Sequence, residues 1–205
     1  MDIMESIATH IFRSRKTIIE MLGDRKYDLS GLDNIDTDRE SFNNYNKDNK
    51  LDIHVINSER EVYVKFIKIT KVKPATLREL ISEINNDILT NKENKKILIV
   101  LLTKPNNTVL KIKNEKHCEN IELFWIGNLL VNITKHSFVP THEKVVTSDY
   151  DDIKTKFSLS NFNQLPIILK SDPVSKYYGF ESGDICKITR KNKISGISVI
   201  YRLVK

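Results

Sequence analysis

Asp52, Glu61 and Lys65 have the side-chain types that could hold a divalent cation beside a phosphodiester. Metal-dependent nucleases of this design need an acid on one strand and acid-x-Lys on the next. The carboxylates bind a hard cation, and the lysine aligns the attacking water. Asp52 fills the first place and Lys65 the last. The residue two before the lysine, which should be the second acid, is Tyr63, and a phenol is no ligand of that kind. Glu61 shares a strand face with Lys65 by alternation but lies one residue pair too far along. The pattern is broken, and no catalytic residue is assigned.

A zinc site is equally poorly supplied. Its candidate ligands are His117, Cys118, His136 and His142, whereas structural zinc sites pair their ligands, as in Cys-x2-Cys with a second such pair. The chain has 2 cysteines, Cys118 and Cys186, far apart. His136 and His142 flank a proline and read as hydrogen-bonded residues of a junction. The 6 glycines are dispersed singly, so no phosphate-cradling loop exists, and no serine or cysteine sits in a nucleophile elbow. Neither a metal nor a cofactor is expected.

Composition bounds the remaining classes. A chain of 205 residues makes one large or two small domains with a proper core. Its 40% hydrophobic and 29% charged content is that of an ordinary globular protein. No apolar run approaches the roughly 20 residues a bilayer requires. Met1 to His10 carries two acids and no basic region, so it does not read as a signal peptide, and the two cysteines read as free thiols. The glycosylation-like triplets at Asn106 and Asn132 are then chance matches. Net charge is +6, and from Pro140 onward 11 basic residues face 7 acidic ones, so that third holds +4. A mild basic excess suits proximity to nucleic acid without implying sequence-specific binding. The richness in Asn, Lys and Ile is what AT-rich coding produces, in a protist or in a large DNA virus.

These residues need elements to place them. Ile3, Ile7, Ile11, Ile18 and Leu22 recur at helical spacing up to Gly23, predicting a helix over 3–22, with Arg13, Arg15 and Lys16 on a solvated face. Thr37 with Glu40 forms a capping box for a short helix through Tyr45, followed by a polar loop, 43–50. Strands are expected over 51–56 and 62–67, joined by a turn at 57–60. Pro74 opens a helix with Leu77, Leu80, Ile81, Ile84 and Ile88 as its apolar stripe. The unbroken run Ile97 to Leu102 marks a strand buried on both faces, and Ile121 to Trp125 is another. The order implies a layered sheet with packed helices. Thr103-Lys104-Pro105-Asn106-Asn107-Thr108 leaves the buried strand as a projecting loop.

Near Pro140 the character changes. Asp172-Pro173 reads as an N-cap with proline at the first helical position, and Gly179 closes that helix after Tyr178. A turn at 181–184 leads into a strand from Ile185, and Lys191-Asn192-Lys193 turns it back into Ile197 to Tyr201. Alternation of Ile197, Val199 and Tyr201 predicts a buried face there.

In order, the segment reads Leu165-Pro166, a short strand, Asp172-Pro173-Val174, Tyr178-Gly179, Gly183 with Lys187-Ile188, and Tyr201-Arg202. This series resembles the C-terminal assembly domain of the fifth subunit of eukaryotic RNA polymerases, a module that archaeal polymerases carry as a small single-domain protein. The stretch Val131-Asn132-Ile133-Thr134, His136, Val139-Pro140 and His142 is similar to that family's domain junction. Upstream the likeness rests on element order and on Arg15-Lys16-Thr17-Ile18 in the opening helix.

The resemblance implies an α+β or α/β chain with two domains. A nuclease-like layered jaw domain would span residues 1–139, and a small α+β assembly domain residues 140–205. It implies a non-catalytic structural subunit of a multisubunit DNA-dependent RNA polymerase. The assembly domain would dock on the largest subunit through Leu165, Pro166, Asp172, Pro173, Val174, Tyr178, Gly179, Gly183, Lys187, Tyr201 and Arg202. The jaw would lie beside downstream duplex DNA, with Thr103 to Thr108 proximal to it. The family has Thr-Pro in that loop, and here Lys104 intervenes, so only sequence-independent phosphate contact is expected. The location would be the nucleus for a cellular member, and a cytoplasmic factory or the virion for a viral one. A stand-alone divergent nuclease, and an adaptor using the C-terminal module alone, are the alternatives.

Overall fold

The computed structural model describes residues 3–32, 42, 51–56, 60–89, 94–115, 118, 120–192 and 196–205. The capping box at Thr37, the loop 43–50, most of the turn 57–60 and His117 lie outside these residues. The chain divides into two compact units, residues 1–131 and 132–205.

In the first unit, helix α1 (Ile3–Asp24) leads to a four-stranded sheet. Strands β1 (Ile53–Ile56) and β2 (Glu61–Ile67) pair antiparallel. β3 (Lys95–Leu101) and β4 (Ile121–Trp125) follow in parallel, in the order β1-β2-β3-β4. Helix α2 (Pro74–Glu83), with a π-helical turn over Ile84–Ile88, connects β2 to β3, and short α3 (Asn107–Lys111) connects β3 to β4. Parallel neighbours need such crossovers, and their strands must be apolar on both faces. Ile97, Leu98, Ile99, Val100 and Leu101 are accordingly all buried, as the unbroken run requires.

Strand alternation divides the sheet between two cores. Tyr63, Ile67, Ile97, Ile99, Leu101, Ile121 and Leu123 pack with Leu77, Ile81 and Ile84 of α2 and its π turn. On the other face Glu122 is gripped by Arg25, just beyond α1, in a two-pronged ion pair at 3.1 and 2.8 Å. Arg15 departs from expectation. Arg13 and Lys16 are exposed, whereas Arg15 is 1% exposed and its Nε donates to the Leu51 carbonyl at 3.3 Å. The charge lies on the buried stripe because position 15 is four residues after Ile11 and three before Ile18, which are both core.

The second unit has the sheet order β5-β7-β8-β6. β5 (Thr141–Lys144) and β7 (Ile185–Asn192) are antiparallel, β7 forms a long hairpin with β8 (Gly196–Val204), and β6 (Ile167–Ile168) joins β8 in parallel. Helices α4 (Tyr150–Lys156) and α5 (Pro173–Tyr178) complete it. Val145, Ile153, Leu165, Ile185 and Leu203 form one core cluster, and Ile168, Phe180, Cys186, Ile188 and Val204 another. Here a second expectation fails. Ile197 is 69% exposed, Val199 41% exposed, and Ile200 is exposed as well. The hairpin outruns the elements that cover its base, so its apolar tip is left in solvent.

Candidate functional site

The nuclease-like face comes together as strand pairing dictates. The register Ile53↔Val64 places Asp52 across from Lys65, and His54 pairs with Tyr63. Asp52 is saturated by the protein. Its Oδ2 accepts from the Tyr63 hydroxyl at 3.0 Å and from Lys65 Nζ at 2.5 Å, and its Oδ1 accepts from the Phe66 amide at 3.1 Å. Burial first, then the Asp52 carboxylate, push the Tyr63 hydroxyl far above its ordinary pKa, so it remains a donor. Glu61, fully buried, lies 2.7 Å from Nε2 of His54. The lysine and phenol thus stand where a cation would need free carboxylate oxygens. Among the described residues no group of three His, Cys, Asp or Glu side chains could hold a metal.

Asp52→Ala strands three donors together. It is expected to cost about 2 kcal/mol of stability, read from denaturation followed by Trp125 fluorescence. The nucleotide-addition rate of a polymerase carrying the variant should be unchanged. A divalent-metal-dependent DNA cleavage by the chain that vanished in Asp52→Ala would refute this reading.

The zinc candidates are separately occupied. Nδ1 of His136 accepts from the Phe138 amide at 3.2 Å. Nδ1 of His142 lies 2.7 Å from the Pro140 carbonyl, which can only accept, so that nitrogen carries the proton. Cys118 and Cys186 are buried, and burial raises both thiols, Cys186 to about 12, so both rest as protonated thiols.

The loop after β3 is shorter than its sequence suggests. Thr103 and Lys104 are exposed and Pro105 is half-buried, but Asn106 N-caps α3 by accepting from the Val109 amide at 2.9 Å. Asn107 and Thr108 are therefore the exposed first turn of a helix. Thr103 Oγ1 donates to the Thr70 carbonyl at 2.6 Å, tying this loop to the one that leaves β2. Sequence reading missed that neighbour, the segment 68–73, although its three lysines in six residues were visible.

In the second unit most of the motif residues shape the backbone. Asp172 Oδ1 accepts from Val174 N at 2.8 Å and Ser175 N at 3.4 Å, and Pro173 occupies the first helical turn. Gly179, with φ of 66°, closes α5. Its amide bonds the Lys176 carbonyl and the Phe180 amide bonds the Ser175 carbonyl, a Schellman ending. Gly183, with φ of 95°, donates to the Val204 carbonyl. Val174 is half-buried, and Tyr178 stacks on Phe180. Leu165 is core, while exposed Pro166 accepts from Leu203 N through its carbonyl. Lys187 pairs with Glu143 at 3.5 Å, Tyr201 meets Phe157 edge-on, and Arg202 reaches the Ile167 carbonyl. Asn132 caps the short turn Ile133–Lys135 and donates to the Tyr177 hydroxyl at 2.9 Å, which ties the entry segment to α5.

Comparison with known proteins matches both units. The family described as RNA polymerase Rpb5, C-terminal domain, matches residues 131–204, and RNA polymerase Rpb5, N-terminal domain, matches residues 5–84. DNA-directed RNA polymerases IV and V subunit 5B of Arabidopsis thaliana is 32% identical over 94% of this chain and 88% of its own length. The chain belongs to the Rpb5 family. Similar too is DNA-directed RNA polymerase V subunit 5A of the same plant, 29% identical over 99% of this chain and 91% of its own. DNA-directed RNA polymerases I, II, and III subunit rpabc1 of Dictyostelium discoideum is 29% identical over 98% and 99%. This Rpb5-family chain is a non-catalytic structural subunit of DNA-directed RNA polymerase, associated with other polymerase subunits. The match of the N-terminal domain removes the reading of a borrowed C-terminal module alone.

Proposed function

We propose that residues 140–205 dock this subunit on the largest polymerase subunit and that residues 1–139 form part of the jaw beside downstream duplex DNA. The observation that carries the docking half is the uncovered apolar hairpin tip, Ile197, Val199 and Ile200, with exposed Phe157 against Tyr201. A monomer gains nothing by leaving such residues wet, and a large partner buries them at about 25 cal/mol per Å². The caps and turns at Asp172, Gly179 and Gly183 hold the sheet that presents this tip. The DNA half is supported by the exposed Lys104 in the projecting loop, a lone charge suited to a phosphate. The subunit works where its polymerase works, in the nucleus for a cellular member.

The test is the full-length Ile197→Asp/Val199→Asp variant. Both side chains are exposed in the free chain, so its melting temperature should stay within about 2 °C of the parent. Capture of the largest subunit should weaken at least tenfold, since two apolar contacts are replaced by buried charges. Undiminished capture would place the docking surface elsewhere.

A further inference from the structure

Two acid-free, lysine-bearing segments meet where parallel strands β2 and β3 end. Residues 68–73 read Lys-Ile-Thr-Lys-Val-Lys, and residues 102–114 contain Lys104, Lys111 and Lys113 with no Asp or Glu. The register Ile67↔Leu101 releases both chains at the same end of the sheet, and the hydrogen bond from Thr103 to the Thr70 carbonyl holds the loops together. Lys71, Lys73 and Lys104 are exposed, and among the described residues no ion pair involves them. Lys68, half-buried at the base of the ridge, lies within the field of Asp52 and Lys65.

Clustered cations repel one another unless something anionic covers them. Two kinds of nucleic-acid surface are available to such a ridge. Single strands are held by aromatic platforms as well as charge, and neither segment contains an aromatic residue. Several fixed cations on adjoining loops match instead the regularly spaced phosphates of a duplex.

We propose that residues 68–73 form a second phosphate-binding element, in which Lys71 and Lys73 engage the backbone of duplex DNA beside Lys104 without reading sequence. This rests on the placement of the N-terminal unit next to downstream DNA proposed above. The segment is the stronger half of the surface, because it brings two exposed lysines where the loop after β3 brings one at its tip. Each phosphate neutralised changes the slope of log affinity against log salt by about 0.9. The combined Lys71→Gln/Lys73→Gln change should therefore reduce the slope by about two units, and Lys104→Gln by about one.

The experiment uses polymerase assembled with the full-length chain on downstream duplexes of two unrelated sequences. Duplex retention is measured across a salt series, and a photo-crosslinking side chain is placed at position 71 or 104. The expected result is crosslinking to DNA from both positions and the larger slope change for the double variant, equal for the two sequences. Crosslinks to DNA from 104 only, with a parental slope in the double variant, would overturn this proposal and leave the jaw placement standing. Crosslinks to DNA from neither position would overturn both. Crosslinks from 71 to an acidic protein segment would make the ridge a protein contact and overturn the proposal. Lys71→Gln alone, at an exposed position, keeps the slope measurement interpretable should the double variant assemble poorly.

Discussion

Arg15→Ala is expected to lower the unfolding free energy of the N-terminal unit by about 3 kcal/mol. The side chain is buried, and its Nε donates to the Leu51 carbonyl just ahead of β1. Truncation combines two costs: a cavity the size of a long side chain, and a buried carbonyl left without its donor. Arg15→Met separates them. Methionine keeps most of the volume but donates nothing, so it should recover roughly half of the loss. Trp125 is the chain's single tryptophan and lies in β4 of the same unit, so its fluorescence reports this transition directly. An alanine variant that unfolds at the parental denaturant concentration would mean that Arg15 does not anchor α1.

Gly179→Val is expected to cost the C-terminal unit about 2 kcal/mol. At φ of 66° the residue is in the left-handed region, where an L side chain is penalised and a β-branched one most of all. The penalty is compounded because the Schellman ending depends on that conformation, and with it the bond from Phe180 to the Ser175 carbonyl. Phe180 belongs to the buried cluster with Cys186 and Val204, so the strain reaches the core. Gly179→Asn, which tolerates the left-handed region, should lose less than half as much. Amide exchange over 167–205 should accelerate while the Trp125 transition is unmoved. Unchanged exchange in the valine variant would refute the cap's role. Asp172→Ala, at the other end of the helix, should cost about 1 kcal/mol.

The two substitutions divide along what each kind of information could supply. α5 was legible in full, because Asp-Pro at its start and glycine at its end act through local backbone geometry that operates over a few residues. β3 was legible because an unbroken apolar run has no wet face to offer. The break in the acid-x-Lys pattern was legible too, since a tyrosine stands at the place of the second acid whatever the fold around it. β5 and α4 left little trace. The first is four residues, Thr-His-Glu-Lys, with one buried position, and the second is seven residues with one buried side chain.

What the tertiary structure alone decided concerns the environment of residues already recognised. A charge on a helix reads as solvated until the partner of its face is known, and Arg15 shares its buried face with Ile11 and Ile18 and finds the Leu51 carbonyl there. Ile197 and Val199 alternate as a buried strand would, yet alternation specifies which side a residue faces and not whether anything covers that side. Asp52 and Lys65, named as possible metal chemistry, became a closed ion pair only through the register of β1 on β2. The lysines of 68–73 and Lys104, separated by some thirty residues, became neighbours only because parallel strands release their chains at one end of a sheet. Sequence determined the local conformations and the missing ligand, since those are short-range properties. Burial, exposure and the joining of charges across the chain came from packing, which no window of sequence contains.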